Sequence, residues 1–173
     1  TVYDATFAFC GRFLDRRDRT VDQMMQAARS GKQNIIEGSA PSGTSKETEI
    51  KLTNVARASL QELLADYRDF LRLRGIEEWA RDHPFARRLA ALVRTPNAGY
   101  ATFRKGIEHP DPAVAANVII GLIKVADCLL GRQLRHLEAR FVEEGGLRER
   151  MTAARLRERA RQEAEGRGAG GRG

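Results

Sequence analysis

The stretch DPAVAANVIIGLIKVADCLLGRQLRHLEARF, Asp111 to Phe141, decides the fold. Asp before Pro is a helix start, because the carboxylate caps free amides and the proline sits where no amide partner is needed. The residues that follow carry helical rather than strand periodicity. In the first half, Val118, Ile119, Ile120, Leu122, Ile123, Val125, Leu129 and Leu130 almost encircle the axis, so they cannot all face one core. That girth predicts that part of the helix faces another subunit. Ala113 to Leu130 is also long enough to suggest a membrane span, but it carries Asn117, Lys124 and Asp127. Each charge would cost about 3 kcal/mol at mid-bilayer, so the expectation is a helix of a soluble protein, with no membrane partner.

Working outward, alternating Val, Ile and Thr runs of the strand type are missing, and helical punctuation is frequent. A first helix is expected from Val2 to Asp15, with Tyr3, Phe7, Cys10 and Leu14 on its core face. Thr20 and Gln23 read as a capping box opening a second helix to Gly38, packed through Met24, Ala27, Gly31 and Ile35. Asn34 and Glu37 are polar residues near that face, and Arg57 is a plausible partner for Glu37. After a short loop, Thr44 and Glu47 read as a second capping box, and a third helix runs to Arg74. Its two stripes, Leu52, Ala56, Leu63, Tyr67 and Phe70 beside Leu60, Leu64 and Leu71, predict burial against more than one neighbour. Gly75 is a left-handed cap, and Glu77 to Val93 is expected to be a shorter helical segment holding Trp79, Phe85 and Leu89. Gly145 and Gly146 close the long helix, and Leu147 to Glu165 reads as a highly charged last helix. The fold class expected is therefore all-α. It is an antiparallel up-and-down four-helix bundle over residues 1–146 with one short extra helix, then a basic helical extension over 147–165 and a flexible Gly/Arg tail over 166–173.

At 173 residues and 42% hydrophobic content the chain supports one core, and its formal charge of +7 with a pI near 10.0 points to polyanionic partners. Cys10 and Cys128 sit in apolar helical patterns and read as small core residues of a reducing compartment, and no export signal is apparent, so the expected location is cytoplasmic. GSAPSGTS, Gly38 to Ser45, nearly matches a phosphate-binding loop, but Thr44 stands where the phosphate-contacting Lys is needed and the loop follows a helix. Three positions before His83, His109 and His136 stand Ala80, Gly106 and Gln133, which rules out the Glu-x-x-His pairs of di-metal bundles. No histidine sits in a nucleophile signature. The expectation is a non-enzyme with no catalytic residue, cofactor or metal.

Arginine distribution is the strongest chemical signal. Leu147 to Gly173 holds eight Arg against four Glu, a net +4 out of the chain's +7. Arg155 with Arg159 and Arg157 with Arg161 are like-charge pairs at spacing four, each destabilising an isolated helix by a few tenths of a kcal/mol, a repulsion that a polyanion laid along that face would relieve. Candidate nucleic-acid-binding residues are accordingly Arg148, Arg150, Arg155, Arg157, Arg159 and Arg161. A second cluster comprises Arg12, Arg16, Arg17 and Arg19, with Arg29 and Lys32 on the next helix. A solvated, soluble surface is the bland alternative. Aromatic residues are only 6% of the chain and mostly at core spacing, so contact with RNA or DNA is expected through phosphates, steep in salt and weak in sequence.

QMMQAARSGKQNIIEGS (Gln23 to Ser39) and TSKETEIKLTNVARASLQELLADYRDFL (Thr44 to Leu71) resemble a bacterial four-helix-bundle family. The family includes proteins encoded in rRNA intervening sequences and the accessory variability proteins of diversity-generating retroelements. NIIEG at Asn34 to Gly38 and ARASLQEL at Ala56 to Leu63 carry most of the likeness. GRQLRHLEARFVEEGGLRERM, Gly131 to Met151, is similar to the extension of the four helix bundle suffix subgroup. The resemblance implies a homopentameric barrel, a basic accessory protein that binds a reverse transcriptase and engages RNA or DNA, and no catalytic motif. The function expected is a non-enzymatic, oligomeric nucleic-acid-binding accessory protein; the alternative is a protein-binding scaffold without a nucleic-acid role.

Overall fold

A computed structural model describes residues 1–40, 45–144 and 147–169, with side chains in the last stretch described only at 149 and 151–162. Among the described residues the chain is all-α, with seven helices and no strand. They are α1 (Val2–Phe13), α2 (Arg19–Gly38), α3 (Lys46–Leu73), α4 (Pro84–Val93), α5 (Tyr100–Ile107), α6 (Pro112–Glu144) and α7 (Leu147–Ala169).

The α2–α3 pair is antiparallel and close, because Gly31 and Gly38 present bare backbone to Leu60 and Leu52. Ser30 and Ser59 share a 2.9 Å hydroxyl hydrogen bond across this seam, and Asn34 Nδ2 turns back to donate to the Ser30 carbonyl. On its other flank α3 meets α6, also antiparallel: Glu49 lies by Gln133, and Arg57 Nε donates to Asp127 Oδ1 at 3.0 Å. The two stripes of α3 thus serve two neighbours. Arg57 does not pair with Glu37 as expected; Glu37 is exposed, and the carboxylate in reach is seventy residues further along.

The α1 helix packs on α2, α5 and α6 and joins the core through Phe9, whose ring sits 5.0 Å from Tyr67 and 4.9 Å from Phe70, both edge-on. Edge-to-face geometry of this kind adds about 0.5–1.5 kcal/mol per pair beyond burial. The Tyr67 hydroxyl donates to Thr6 in full burial, and its ionisation is pushed far above the ordinary phenol range by that burial. The predicted face is therefore rotated. Ala5, Thr6, Phe9 and Cys10 are inside, while Phe7 is 66% exposed, because the ring cluster on α3 takes Phe9 instead. Burial also drives the Cys10 thiol up to about 11, with Asp66 nearby as a smaller cause, whereas Cys128 is exposed rather than in the core.

Two helix starts differ from expectation by a residue or two. Asp18, not Thr20, caps α2, accepting the Thr20 amide at 2.8 Å. Ser45 caps α3 by accepting the Thr48 amide, while Thr44 lies outside the described residues, as do Gly145 and Gly146. Gly75 takes the expected left-handed turn at φ +65°.

The largest departure lies between α3 and α6. Residues 76–83 form an irregular strap rather than a helix, because Asn117 of α6 holds them. Its Oδ1 accepts the Trp79 amide at 2.7 Å, and its Nδ2 donates to the Glu77 carbonyl at 3.1 Å. Glu78 then accepts from Arg68 of α3 and Lys124 of α6. Burial alone would raise the Glu78 carboxyl, but these two cations together hold it below its ordinary value. Beyond the strap, α4 and the unforeseen α5 lie across the far side of α6. A Cβ at Gly121 would overlap Leu89 Cδ2, and one at Gly106 would stand 2.9 Å from Val118 Cγ2, so both glycines exist to let these helices seat.

That lid changes the reading of α6. Val118, Ile119, Ile120, Leu122, Ile123 and Leu130 are all buried within one chain; Val125 is half-buried and Leu129 is 56% exposed. The girth of the helix needs no second subunit, since α4 and α5 supply the extra cover. By length and composition α6 could cross a membrane, but half of its most apolar window is buried inside the protein.

Candidate nucleic-acid interface

The α1–α2 connection is built by two carboxylates. Asp15 accepts the Arg17 amide at 2.9 Å and Asp18 accepts the Thr20 amide. Those bonds hold the Asp18 carboxyl below its ordinary value, first through the Thr20 amide and then through the Thr20 hydroxyl, with the Arg74 charge a lesser contributor. With the turn fixed in this way, Arg16, Arg17 and Arg19 project into solvent beside exposed Arg12. Two of the expected cations lie on aromatic faces: Arg12 stands 4.9 Å from the Phe13 ring centre and Lys32 stands 4.5 Å from that of Tyr3. Such contacts are worth about 0.5–1 kcal/mol at exposed sites, which fixes the side chains without neutralising them. Arg29 is exposed on the outer face of α2.

The remaining expected residues are on α7, which makes no contact with any other helix among the described residues. Arg155, Arg157, Arg159 and Arg161 are exposed, and Arg161 donates to Glu158 at 3.2 Å. The side chains of Arg148 and Arg150 lie outside those described. Because α7 is one continuous helix, its turn of about 100° per residue puts Arg155 and Arg159 on one flank and Arg157 and Arg161 about 200° away. The two like-charge pairs do not share a face, and a single strand laid along one side would meet only one of them.

The clusters are also far apart. The α1–α2 connection sits at the end of the molecule where α3 finishes and α6 begins, whereas α7 follows the opposite end of α6. Thirty-three residues of helix span about 50 Å. One subunit therefore does not gather its predicted arginines into one patch.

Sequence reading missed a third group. Arg81, Arg87 and Arg94 line an open cleft of about 530 Å³ on the outer side of α4, with Asp82 the one acidic residue in its wall. The seven-residue spacing of Arg87 and Arg94 was a visible signal, since it puts both on one helical face. Arg81 could not be added to them without knowing that the strap turns back. Among the described residues no three His, Cys, Asp or Glu side chains converge at metal-binding distance. His83 Nδ1 is buried without a hydrogen-bond partner, and its ring is stacked on Trp79 at 4.8 Å.

A comparison of the chain with known protein families, with curated proteins and with solved structures finds no match.

Proposed function

We propose that the chain is a non-enzymatic accessory protein that binds nucleic acid through phosphates, in the cytoplasm and as a homo-oligomer. In this reading α1, α2, α3 and α6 act as an up-and-down four-helix bundle. The observation that carries the binding is that, among the described residues, α7 makes no contact with another helix and carries arginines on two opposite flanks. A helix of about 10–12 Å diameter fits a groove walled by two phosphate backbones, and the major groove of duplex DNA is about 12 Å wide. The corresponding groove of duplex RNA is deep and narrow, so this geometry favours DNA over RNA. The resemblance of Gln23–Ser39 and Thr44–Leu71 to retroelement accessory proteins supports a role beside a reverse transcriptase and an assembly of five.

The test is fluorescence anisotropy of labelled duplex DNA, duplex RNA and single strands across a salt series. Binding to duplex DNA at low salt, with an affinity that falls steeply as salt rises, is expected. Arg155→Gln, Arg157→Gln and Arg159→Gln combined should reduce the log–log salt slope by about 3. Absence of binding at low salt eliminates the reading. A protein-binding scaffold is then favoured, on the strength of the large apolar side chains left open at Phe7, Leu73, Leu129 and Val142. Native mass spectrometry of the full chain counts the subunits.

A further inference from the structure

We propose that the cavity enclosed by α4, α5, the strap and the start of α6 is a binding site for a small organic monoanion, a carboxylate carrying a compact apolar body. It is independent of the arginines assigned to nucleic acid, none of which lines it.

The cavity holds about 310 Å³. An apolar cavity of about 150 Å³ takes one benzene ring, so this one takes a body of about twice that size. Its walls are the rings of Trp79, Phe85 and Phe103 with Leu92, Val114 and Val118. They offer no amide or carboxylate that would read the polar edges of a nucleobase. The walls are held rigidly: Val118 sits against Gly106, Leu89 against Gly121, and Trp79 is tied by its amide to Asn117.

Every polar side chain in the lining is able to donate. Arg88 and Lys105 are exposed cations, and neither meets a carboxylate among the described residues. His109 Nδ1 accepts the Asp111 amide at 3.1 Å, which leaves Nε2 as the nitrogen that can donate. Thr102 Oγ1 accepts the Gly99 amide at 3.2 Å, which leaves its hydroxyl hydrogen to give. An apolar pocket bordered by two cations and two further donors, with no acid in its lining, favours an anionic head on an apolar body. No carboxylate lines the cavity to pair with a cation. The two cations at the apolar rim attract a charged head group over its uncharged isostere.

Trp79 is the single tryptophan of the chain and part of the wall, so its emission reports directly on occupancy. Octanoate titrated into the full-length protein should shift that emission saturably, with a Kd near or below about 1 mM, and octan-1-ol should bind at least about tenfold more weakly. Arg88→Gln with Lys105→Gln, both exposed positions, should remove the preference for octanoate and leave octan-1-ol unchanged. Val114→Phe, which fills the cavity, should abolish both while far-UV circular dichroism stays that of the parent. The proposal is overturned by an octanoate response that never saturates, by equal affinity for acid and alcohol in the parent, or by binding that survives the filled cavity in a folded Val114→Phe protein.

Discussion

Asn117→Ala should release the strap while sparing the helices it crosses. The side chain is 3% exposed and makes two bonds to strap backbone, one from the Trp79 amide at 2.7 Å and one to the Glu77 carbonyl at 3.1 Å. Each lost bond costs about 1 kcal/mol net, and the half-buried strap groups left behind are partly rehydrated once the segment lifts. The small void at the site adds about another 1 kcal/mol. A total of about 2–3 kcal/mol in a protein of this size corresponds to a Tm lowered by about 5–10 °C. Thermal melts by circular dichroism measure that shift, and Trp79 emission measures its location. In the variant the emission should move to the red at denaturant concentrations where helical signal is still intact, because the strap leaves first. A variant with parental Trp79 emission and a Tm within about 1 °C of the parent refutes the view that Asn117 organises this side of the molecule.

Phe9→Ala should cost about 3–5 kcal/mol and Phe7→Ala less than about 0.5, since only the first ring is in the core; chemical denaturation separates them. Gly121→Ala puts a methyl where Leu89 sits and should cost about 1–3 kcal/mol, read as a lowered Tm. Glu78 has a carboxyl held below its ordinary 4.5, so its pairing stabilises the fold above that pH, and the gain is lost as pH falls through the folded-state value. In Tm measured from neutral pH into acid, Glu78→Gln should therefore be lower than the parent at neutral pH and converge with it in acid. Deleting residues 147–173 should leave the Tm of the remainder within about 1 °C, because among the described residues α7 makes no contact with another helix.

Long helices with strong ends were legible in the chain. The Asp111–Pro112 start of α6, the Gly75 turn and the paired stripes of α3 are all local signals, and each is present in the structure. The strap was not legible, because what keeps Glu77–Trp79 from continuing as helix is an amide on Asn117, thirty-eight residues beyond Trp79. The α5 helix escaped notice because it buries only Phe103 and Ile107, too few to show a period. Missing α4 and α5 as a cover in turn made α6 look too apolar for one chain. On α1 two phenylalanines two residues apart competed for the core, and the choice between them is made by Tyr67 and Phe70 on a different helix. For the candidate site, exposure of the arginines followed from their charge. Their grouping did not: which arginines share a surface depends on where α6 ends and where the strap turns.

The seat of Phe9 has a consequence for how the chain comes to be folded. Helix α1 closes against partners on α3 and α6 that lie far downstream in sequence. At about 5–20 residues per second, synthesis of the roughly 60 residues between Phe9 and its ring partners Tyr67 and Phe70 occupies about 3–12 seconds. Through that interval α1 holds a phenylalanine-rich flank without the α3 rings that cover it, which leaves the nascent chain open to misassociation at this helix. A holding chaperone that recognises short aromatic helices would act on this protein before its longest helix has left the ribosome.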